Sequence, residues 1–356
     1  MADRLQRRRA VIIGAGSFGT AVAVVLARGG VRTTLQTRTP QQAERLSEER
    51  VNLDYLPEVP LPRELRIEPV SAGLGRADYV FLAVPSQGLD EVIDGLGAAG
   101  LQPGAAVVSL AKGLVPPDGV APTILLRRQL GPERLACVGG PAHADEMVHE
   151  GAGLVAASTN EDLSITLAQA FISAGVVCER SDDPIGVELA GAAKNAAALA
   201  AGATESQGLN AAGAAAGHIF AEVWRYAETQ GARPESLIGL AGTGDLVATA
   251  LAPQSRNRRA GELLAAGVPA GDIPARIGQA VEALESVPLL ARALAGARVE
   301  SPVSAALARL IAGELPLDDW VSLVRTTVPP PSGFGRRRGW LGRLWQRIRA
   351  WFRRSP

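Results

Sequence analysis

Short apolar runs alternate with helical stretches along the first half of the chain. The runs are four to six residues long, and most of them are rich in valine, leucine and alanine, which is typical of buried strands. Strands that alternate with helices predict an α/β fold with a parallel, doubly wound sheet. Pro57, Pro60 and Pro62 indicate a loop before the third strand. The runs predicted as strands are Ala10–Ile13, Thr33–Thr37, Leu65–Glu68, Tyr79–Val84, Ala106–Leu110, Leu135–Val138, Gly153–Ala157 and Val176–Arg180.

The apolar pattern changes after about Asp183. Ile185–Ala203 and Ala211–Gln230 are long and alanine-rich, so they predict helices. We therefore expect an all-α C-terminal domain up to about Val328, and Pro329–Pro331 mark its end. The predicted domains are residues 1–185, residues 186–328, and residues 329–356 as a proline-rich linker with a basic amphipathic tail.

Composition excludes several classes of protein. A hydrophobic fraction of 47% rules out wholesale disorder, and 36 basic against 36 acidic residues argue against a dedicated nucleic-acid binder. The chain has two cysteines and no Cys/His cluster, which excludes a disulfide scaffold and a zinc module. We therefore expect no metal, and we expect a cytoplasmic location. The apolar stretch after Arg7–Arg9 is interrupted by glycines, which disfavours a secretory signal, and no run is long enough to predict a transmembrane helix.

A glycine-rich loop follows the first strand. Gly14, Gly16 and Gly19 have the G-x-G-x-x-G spacing, and a helix begins near Ser17. In a dinucleotide-binding unit the first glycine allows the tight turn, the second lets the backbone reach the pyrophosphate, and the third lets helix and strand pack closely. Free N–H groups at the helix N-terminus then bind the anion. The loop predicts a Rossmann-like NAD(P)-binding domain; the alternative is a glycine-rich turn without a ligand.

The second strand carries a clue to the type of dinucleotide. An acidic residue at its end would bind the ribose 2′-hydroxyl of NAD, but this strand ends at Thr37 and is followed by Arg38. A guanidinium pairs well with a phosphate, so Arg38 favours acceptance of the NADP 2′-phosphate. The alternative is a solvated loop charge.

Lysine is scarce in this sequence. Of the 36 basic residues only Lys112 and Lys194 are lysines, and the rest are arginines. A lysine can release a proton near neutral pH in a suitable environment, whereas an arginine cannot. Both lysines lie in polar segments between apolar ones, which makes them candidates for chemistry.

Six further segments with polar or glycine residues lie at the carboxyl ends of predicted strands or in the helical half. They are Ala83–Ser86, Ser109–Gly113, Gly139–Glu146, Gly186–Asn195, Gly244–Leu246 and Ser255–Arg259. Together with the glycine loop, these segments resemble the NAD(P)-dependent sn-glycerol-3-phosphate dehydrogenases of the bacterial cytoplasmic type over roughly residues 10–325. The resemblance implies reversible reduction of dihydroxyacetone phosphate to sn-glycerol 3-phosphate, with NAD or NADP as cofactor, in support of phospholipid synthesis.

The resemblance also implies site residues. Lys194 corresponds to the general acid/base. The implied substrate contacts are Lys112, Gly140, Ala142, Lys194, Asp245, Ser255, Arg256 and Asn257. The implied cofactor contacts are Gly14, Gly16, Ser17, Phe18, Gly19, Arg38, Lys112, Ala144, Arg256, Ala280 and Glu282.

Structural roles stay open for the charged candidates. Lys194 would alternatively pair with Glu188 or Asp245, and Lys112 would begin a surface helix. Asp245 would alternatively cap a helix that begins at Leu246.

The sequence departs from the family pattern at two places that bear on function. Ala142 and Gly139 stand where the family has serines, and Ala283 replaces a glycine after Glu282. Ala142 leaves open a related reductase of another small oxo acid or phosphorylated ketone. A catalytically silent NAD(P)-binding sensor is the third alternative, and the presence of both lysines argues against it.

The C-terminal tail lies outside the resemblance. Aromatic and aliphatic residues recur at helical spacing among the eight arginines of residues 336–354, and this segment contains no acidic residue. Because the whole chain has a net charge of zero, the rest of the chain has a net charge of −8. A basic amphipathic helix of this kind is typical of an interfacial anchor, so peripheral contact with the inner face of the membrane is expected. Folding back on the acidic body, nucleic-acid contact and a partner protein are the alternatives. A homodimer is also left open. The apolar positions are Trp340, Leu341, Leu344, Trp345, Ile348, Trp351 and Phe352.

Overall fold

The computed structural model describes residues 8–328. The strands are β1 Arg9–Ile13, β2 Arg32–Thr37, β3 Val51–Asn52, β4 Leu56–Pro60, β5 Arg66–Pro69, β6 Tyr79–Leu82, β7 Ala106–Ser109, β8 Leu135–Gly139, β9 Gly153–Ala157 and β10 Val177–Ser181. The helices are α1 Ser17–Arg28, α2 Pro40–Glu49, α3 Leu89–Gly95, α4 Pro122–Leu130, α5 Ala144–His149, α6 Glu161–Ile172, α7 Pro184–Thr204, α8 Leu209–Thr229, α9 Pro234–Ile238, α10 Asp245–Leu251, α11 Arg256–Ala265, α12 Ile273–Ile277, α13 Glu282–Gly296, α14 Pro302–Ile311 and α15 Leu317–Thr326.

All eight predicted strands lie in one sheet, in the order β10-β9-β8-β7-β6-β1-β2-β5. Successive residues of β1 contribute to opposite faces, since Ala10 and Ile12 belong to one core cluster and Val11 and Ile13 to another. Both faces are therefore covered, as expected of a doubly wound sheet. The predicted α/β, Rossmann-like fold with a helical C-terminal part is confirmed.

The sheet is not wholly parallel, so that part of the prediction is wrong. β8 and β9 are antiparallel, with Val138 opposite Ala156, while every other neighbouring pair in this sheet is parallel. The chain reverses in residues 140–152, which contain the short helix α5. A strand buried on both faces is a plain apolar run, and such a run does not record strand direction.

The proline-rich segment is a loop only in part, because Pro62 lies in the predicted loop before β5 but two of the prolines lie in a strand. β3 and β4 form a separate two-stranded antiparallel sheet, and Pro57 and Pro60 lie within β4. A two-stranded sheet has free edges, where a residue without an N–H is tolerated.

The helical half is built around α7, whose residues are nearly all buried. Alanine and glycine let neighbouring helices approach its backbone closely. A Cβ on Gly261 of α11 would lie 2.1 Å from the Leu199 carbonyl oxygen of α7, so only glycine fits there. No strand is found between residues 183 and 328, as predicted.

The described residues up to Arg325 form one compact unit, and a second unit begins at Thr326. The boundary at residue 185 stays a prediction. The basic tail, residues 329–356, lies outside the described residues. Within residues 8–328, no helix combines the length and apolar character needed to cross a bilayer.

Candidate active site

The glycine loop has the shape that a dinucleotide phosphate requires. Gly14 has φ +114°, and a Cβ there would lie 2.5 Å from the Ala83 carbonyl oxygen. A Cβ on Gly19 would lie 2.1 Å from the Gly14 carbonyl oxygen, so this glycine permits close packing of α1. At Gly16, by contrast, the Cβ position is open. An open backbone at the N-terminus of a helix fits a pyrophosphate, and α1 begins at Ser17 as predicted.

Both lysines of the chain converge on one buried carboxylate. Lys112 Nζ lies 2.8 Å from Asp245 Oδ2, and Lys194 Nζ lies 3.4 Å from Asp245 Oδ1. Lys112 Nζ also donates to the Gly140 carbonyl oxygen at 2.9 Å and lies 5.5 Å from the centroid of the Phe18 ring. Phe18 follows Ser17 in the glycine loop, so the lysine pair lies beside the predicted dinucleotide site.

This arrangement decides two of the structural alternatives. Lys112 lies in a partly buried loop after β7 rather than on a surface helix. Asp245 is itself the first residue of α10 and makes no capping bond, and its carboxylate is used by the lysines. Of the two structural partners considered for Lys194, Asp245 is found and Glu188 is not, because the Glu188 carboxylate accepts from Thr123 N and Oγ1.

The electrostatics of the cluster follow from burial. Lys194 is 8% exposed, and loss of hydration together with the nearby Lys112 ammonium lowers its pKa to about 8, although Asp245 and Glu282 oppose the shift. Burial acts to raise the pKa of Asp245, but the charges of Lys112 and Lys194 outweigh it and hold that pKa below its ordinary value. The cluster thus contains an ionised carboxylate and an amine that exchanges protons near neutral pH.

Asn195 and Thr249 reach the same cluster, and the sequence reasoning did not assign them to it. Asn195 Nδ2 donates to Glu282 Oε2 at 3.0 Å and to the Lys112 carbonyl oxygen at 3.1 Å. Thr249 Oγ1 accepts from Lys194 Nζ at 3.3 Å. Asn195 follows Lys194 directly, and Thr249 lies one helical turn after Asp245, so both signals were present in the spacing.

A second set of polar side chains joins α11 to α13. Asn257 Nδ2 donates to Asn195 Oδ1 at 2.8 Å, and Asn257 Oδ1 accepts from the Ala283 backbone N–H at 3.2 Å. Arg256 is exposed and donates to the Ala280 carbonyl oxygen at 3.0 Å. The structure therefore brings Asn257 and Glu282 together through Asn195, and Arg256 against Ala280.

The other candidates have environments of their own. Ser255 caps α11, and its Oγ accepts from the Arg258 N–H. Ala142 and Ala144 pack, with Phe18, against the same core cluster. Arg38 is exposed directly after β2 and makes no ion pair with any residue between 8 and 328.

Arg258 has a structural partner. Its guanidinium binds both oxygens of Glu205, at 2.7 and 2.9 Å, which joins α11 to the end of α7. Within residues 8–328, no group of three or more His, Cys, Asp or Glu side chains is placed to hold a metal ion.

Asn52 is another residue that the sequence reasoning missed. It is fully buried on β3, and its Nδ2 donates to the Ala15 carbonyl oxygen at 2.9 Å and to Thr20 Oγ1 at 2.8 Å. It therefore links the small sheet to the glycine loop. The sequence analysis assigns no element to Asn52, and an isolated asparagine gives no signal of this role.

Two family models match most of the chain. The N-terminal model of NAD-dependent glycerol-3-phosphate dehydrogenase matches residues 9–164, and the C-terminal model matches residues 183–322. A glycerol-3-phosphate dehydrogenase (NAD(P)+) of Methylococcus capsulatus is 36% identical over 90% of this chain and 97% of its own length. The chain belongs to the NAD-dependent glycerol-3-phosphate dehydrogenase family. A relative of the same name from Deinococcus radiodurans is 38% identical over 85% of this chain and 90% of its own.

The structural comparison agrees with the family assignment. The crystal structure of glycerol-3-phosphate dehydrogenase from Coxiella burnetii has a TM-score of 0.85 and 30% sequence identity, and the match covers 90% of this chain and 100% of that one. These comparisons confirm three predictions: the family, the oxidoreductase class, and NAD or NADP as the cofactor. The roles of individual site residues stay predictions.

Proposed function

We propose that this protein catalyses the reversible, NAD(P)H-dependent reduction of dihydroxyacetone phosphate to sn-glycerol 3-phosphate. The observation that carries the proposal is the convergence of Lys112 and Lys194 on Asp245, beside the glycine loop. A carbonyl reduction needs a proton at the oxygen and a hydride at the carbon. The cluster supplies a proton donor, and the loop offers a place for the dinucleotide.

Lys194 is the proposed general acid. A nicotinamide dinucleotide, when bound, supplies the hydride. With a pKa of about 8, Lys194 is mostly protonated at neutral pH and gives its proton to the carbonyl oxygen as charge develops there. In the reverse direction the neutral amine takes the proton from the 2-hydroxyl group. Asp245 holds the ammonium in place, and Lys112 adds positive charge for the phosphorylated substrate.

The N-terminus of α11 is the proposed phosphate site. Ser255 and Arg256 offer a hydroxyl and a guanidinium there, together with the free N–H groups of the first turn. Asn257 keeps one amide hydrogen after its bonds to Asn195 and Ala283, and that hydrogen is available to the phosphate.

The proposed cofactor contacts surround the glycine loop. Gly14, Gly16 and Gly19 shape the backbone for the pyrophosphate, and Arg38 lies at the end of the neighbouring strand. The exposed guanidinium of Arg38 suits the 2′-phosphate of NADP, so both NAD(H) and NADP(H) are proposed to bind.

A spectrophotometric assay tests the function. NADH or NADPH oxidation would be followed with dihydroxyacetone phosphate and with a panel of oxo acids and phosphorylated ketones. Preference for dihydroxyacetone phosphate supports the proposal. Preference for another ketone would identify a related reductase, and cofactor binding without turnover would identify a sensor.

The proposal includes a cytoplasmic location, with the product used for phospholipid synthesis, and peripheral membrane contact through residues 329–356. Arginines that face an anionic leaflet contribute about 1 kcal/mol each, and the tryptophans of this segment add apolar burial. Sedimentation with anionic and neutral liposomes would compare the full chain with a chain ending at Pro331. If the full chain stays in the supernatant with anionic vesicles at low salt, membrane contact is wrong.

A homodimer completes the proposal. β10 is an edge strand of the sheet, and Val177 on it and Ile172 before it are more than half exposed. Edge strands with apolar side chains favour association. Light scattering of the purified chain measures the mass, and a monomer at all accessible concentrations would contradict this part.

A further inference from the structure

A buried amide fixes the peptide at the centre of the glycine loop. Asn52 has no exposed surface, and both hydrogens of its Nδ2 are used, one by the Ala15 carbonyl oxygen and one by Thr20 Oγ1. The Ala15 carbonyl only accepts, so the nitrogen of the amide must face it. Asn52 Oδ1 is buried without a partner among the described residues. An unpaired buried oxygen is unfavourable, which indicates that the donors are what this position provides.

The orientation of the Ala15 carbonyl determines where the next N–H points. In a trans peptide the C=O and the following N–H lie on opposite sides. Because Asn52 holds the Ala15 oxygen toward the small sheet, the Gly16 N–H is directed away from it. The Cβ position of Gly16 is open, and its carbonyl oxygen accepts from Thr20 N at 2.9 Å in the first turn of α1.

We propose that Asn52 is a positioning residue for the dinucleotide, which orients the Ala15–Gly16 peptide so that its N–H faces the phosphates. This inference rests on the proposed function only as far as a nicotinamide dinucleotide is bound. Asn52 itself has no exposed surface, so it would act on a bound dinucleotide through the loop and not by direct contact. Its effect therefore belongs in cofactor affinity and not in the chemical step.

The test is an isosteric exchange with a direct binding readout. Asn52→Asp places an acceptor against the Ala15 oxygen and repels it. Titration of the purified full chain with NADPH or NADH alone, followed by fluorescence, should show a Kd weakened about ten-fold at pH 8. At saturating cofactor, the KM for dihydroxyacetone phosphate should stay within about two-fold of the unmodified protein.

Low pH provides a rescue that a merely structural role would not give. Burial raises the pKa of a carboxyl group, and the protonated form can donate one hydrogen bond to the Ala15 oxygen. The Asn52→Asp variant should therefore recover most of its cofactor affinity near pH 5.5, measured against the unmodified protein at the same pH. An affinity deficit that is the same at both pH values would overturn the proposal.

Thr20→Val is the matched control. It removes the second acceptor of the Asn52 amide and leaves the contact with Ala15, so Kd should change by less than about two-fold although thermal stability falls. If Asn52→Asp does not fold, Asn52→Ala removes the donors without the repulsion and should also weaken cofactor binding.

Equal losses of cofactor affinity in Thr20→Val and in the Asn52 variant would overturn the inference, and so would unchanged cofactor binding by the Asn52 variant. Asn52-dependent binding without turnover of dihydroxyacetone phosphate would overturn the proposed function alone, and absence of cofactor binding by the unmodified protein would overturn both.

Discussion

Lys112 and Lys194, the two lysines of the chain, place their ammonium groups on different oxygens of a single carboxylate. The distances from Nζ are 2.8 Å to Asp245 Oδ2 for Lys112 and 3.4 Å to Asp245 Oδ1 for Lys194. One negative charge thus faces two positive charges in a buried site. Burial disfavours the cationic form of Lys194, and the nearby charge of Lys112 adds to this effect.

The first prediction concerns pH. The pKa of Lys194 is lowered to about 8, so its protonated form is lost as pH rises through that value. We expect kcat/KM for dihydroxyacetone phosphate reduction to fall above about pH 8, and the rate of sn-glycerol 3-phosphate oxidation to rise over the same range. Initial rates in both directions between pH 6 and 10 measure this. Parallel changes in the two directions would contradict the assignment.

Two substitutions should shift the pH at which the reduction rate declines, and they should shift it in opposite directions. Asp245 raises the pKa of Lys194, so Asp245→Asn should shift the decline to lower pH. Lys112 lowers that pKa, so Lys112→Met should shift it to higher pH, in addition to raising KM for the phosphorylated substrate. The measurement is the pH dependence of kcat/KM for each variant. If both variants shift this pH in the same direction, the decline in rate does not report the titration of Lys194.

Arg38 should discriminate between the two cofactors. Loss of its charge-assisted bond to the 2′-phosphate predicts that Arg38→Ala raises KM for NADPH about ten-fold and KM for NADH less than two-fold. Steady-state kinetics with each cofactor at saturating substrate make the comparison. If the two constants change equally, Arg38 does not contact the 2′ position.

Glu188 predicts a pH dependence of stability. Burial raises its pKa to about 8 from an ordinary value of 4.5, although the hydrogen bonds from Thr123 oppose this. A raised carboxyl pKa means that its stabilising contribution is complete below pH 4.5 and is lost as pH rises to about 8. Glu188→Gln mimics the neutral form, so its Tm should fall less between pH 5 and 9, by about 3 °C or more. Identical slopes for both proteins would contradict the prediction.

The fold follows from the sequence where local pattern determines structure. Most strands of the large sheet are short apolar runs between turn residues, and α7 is a long alanine-rich segment, so both are recognisable without tertiary information. The direction of β9 is not, because it depends on how residues 140–152 return along the sheet. The β3–β4 pair was not predicted, because prolines such as Pro57 and Pro60 are normally excluded from strands and are tolerated only at a free edge.

The sequence singles out residues that the structure brings close together, but it does not predict their contacts. The rarity of lysine and the spacing of the motifs single out Lys112, Lys194 and Asp245. Lys112 and Asp245 are 133 positions apart in the sequence, so their contact cannot be predicted from motif spacing. Asn52 shows the other limit, since a polar residue that acts through a neighbouring loop has no local pattern that distinguishes it from a turn residue.

The turnover of Lys194→Met tests the central claim most directly. Methionine fills nearly the same volume without a proton to donate, so kcat for dihydroxyacetone phosphate reduction should fall by ~10²–10⁴-fold. The Kd for NADPH, measured by fluorescence titration of the same protein, should stay within about two-fold, because the glycine loop is untouched. A variant that keeps more than about half of the original kcat would remove Lys194 from the role of proton donor and contradict the account.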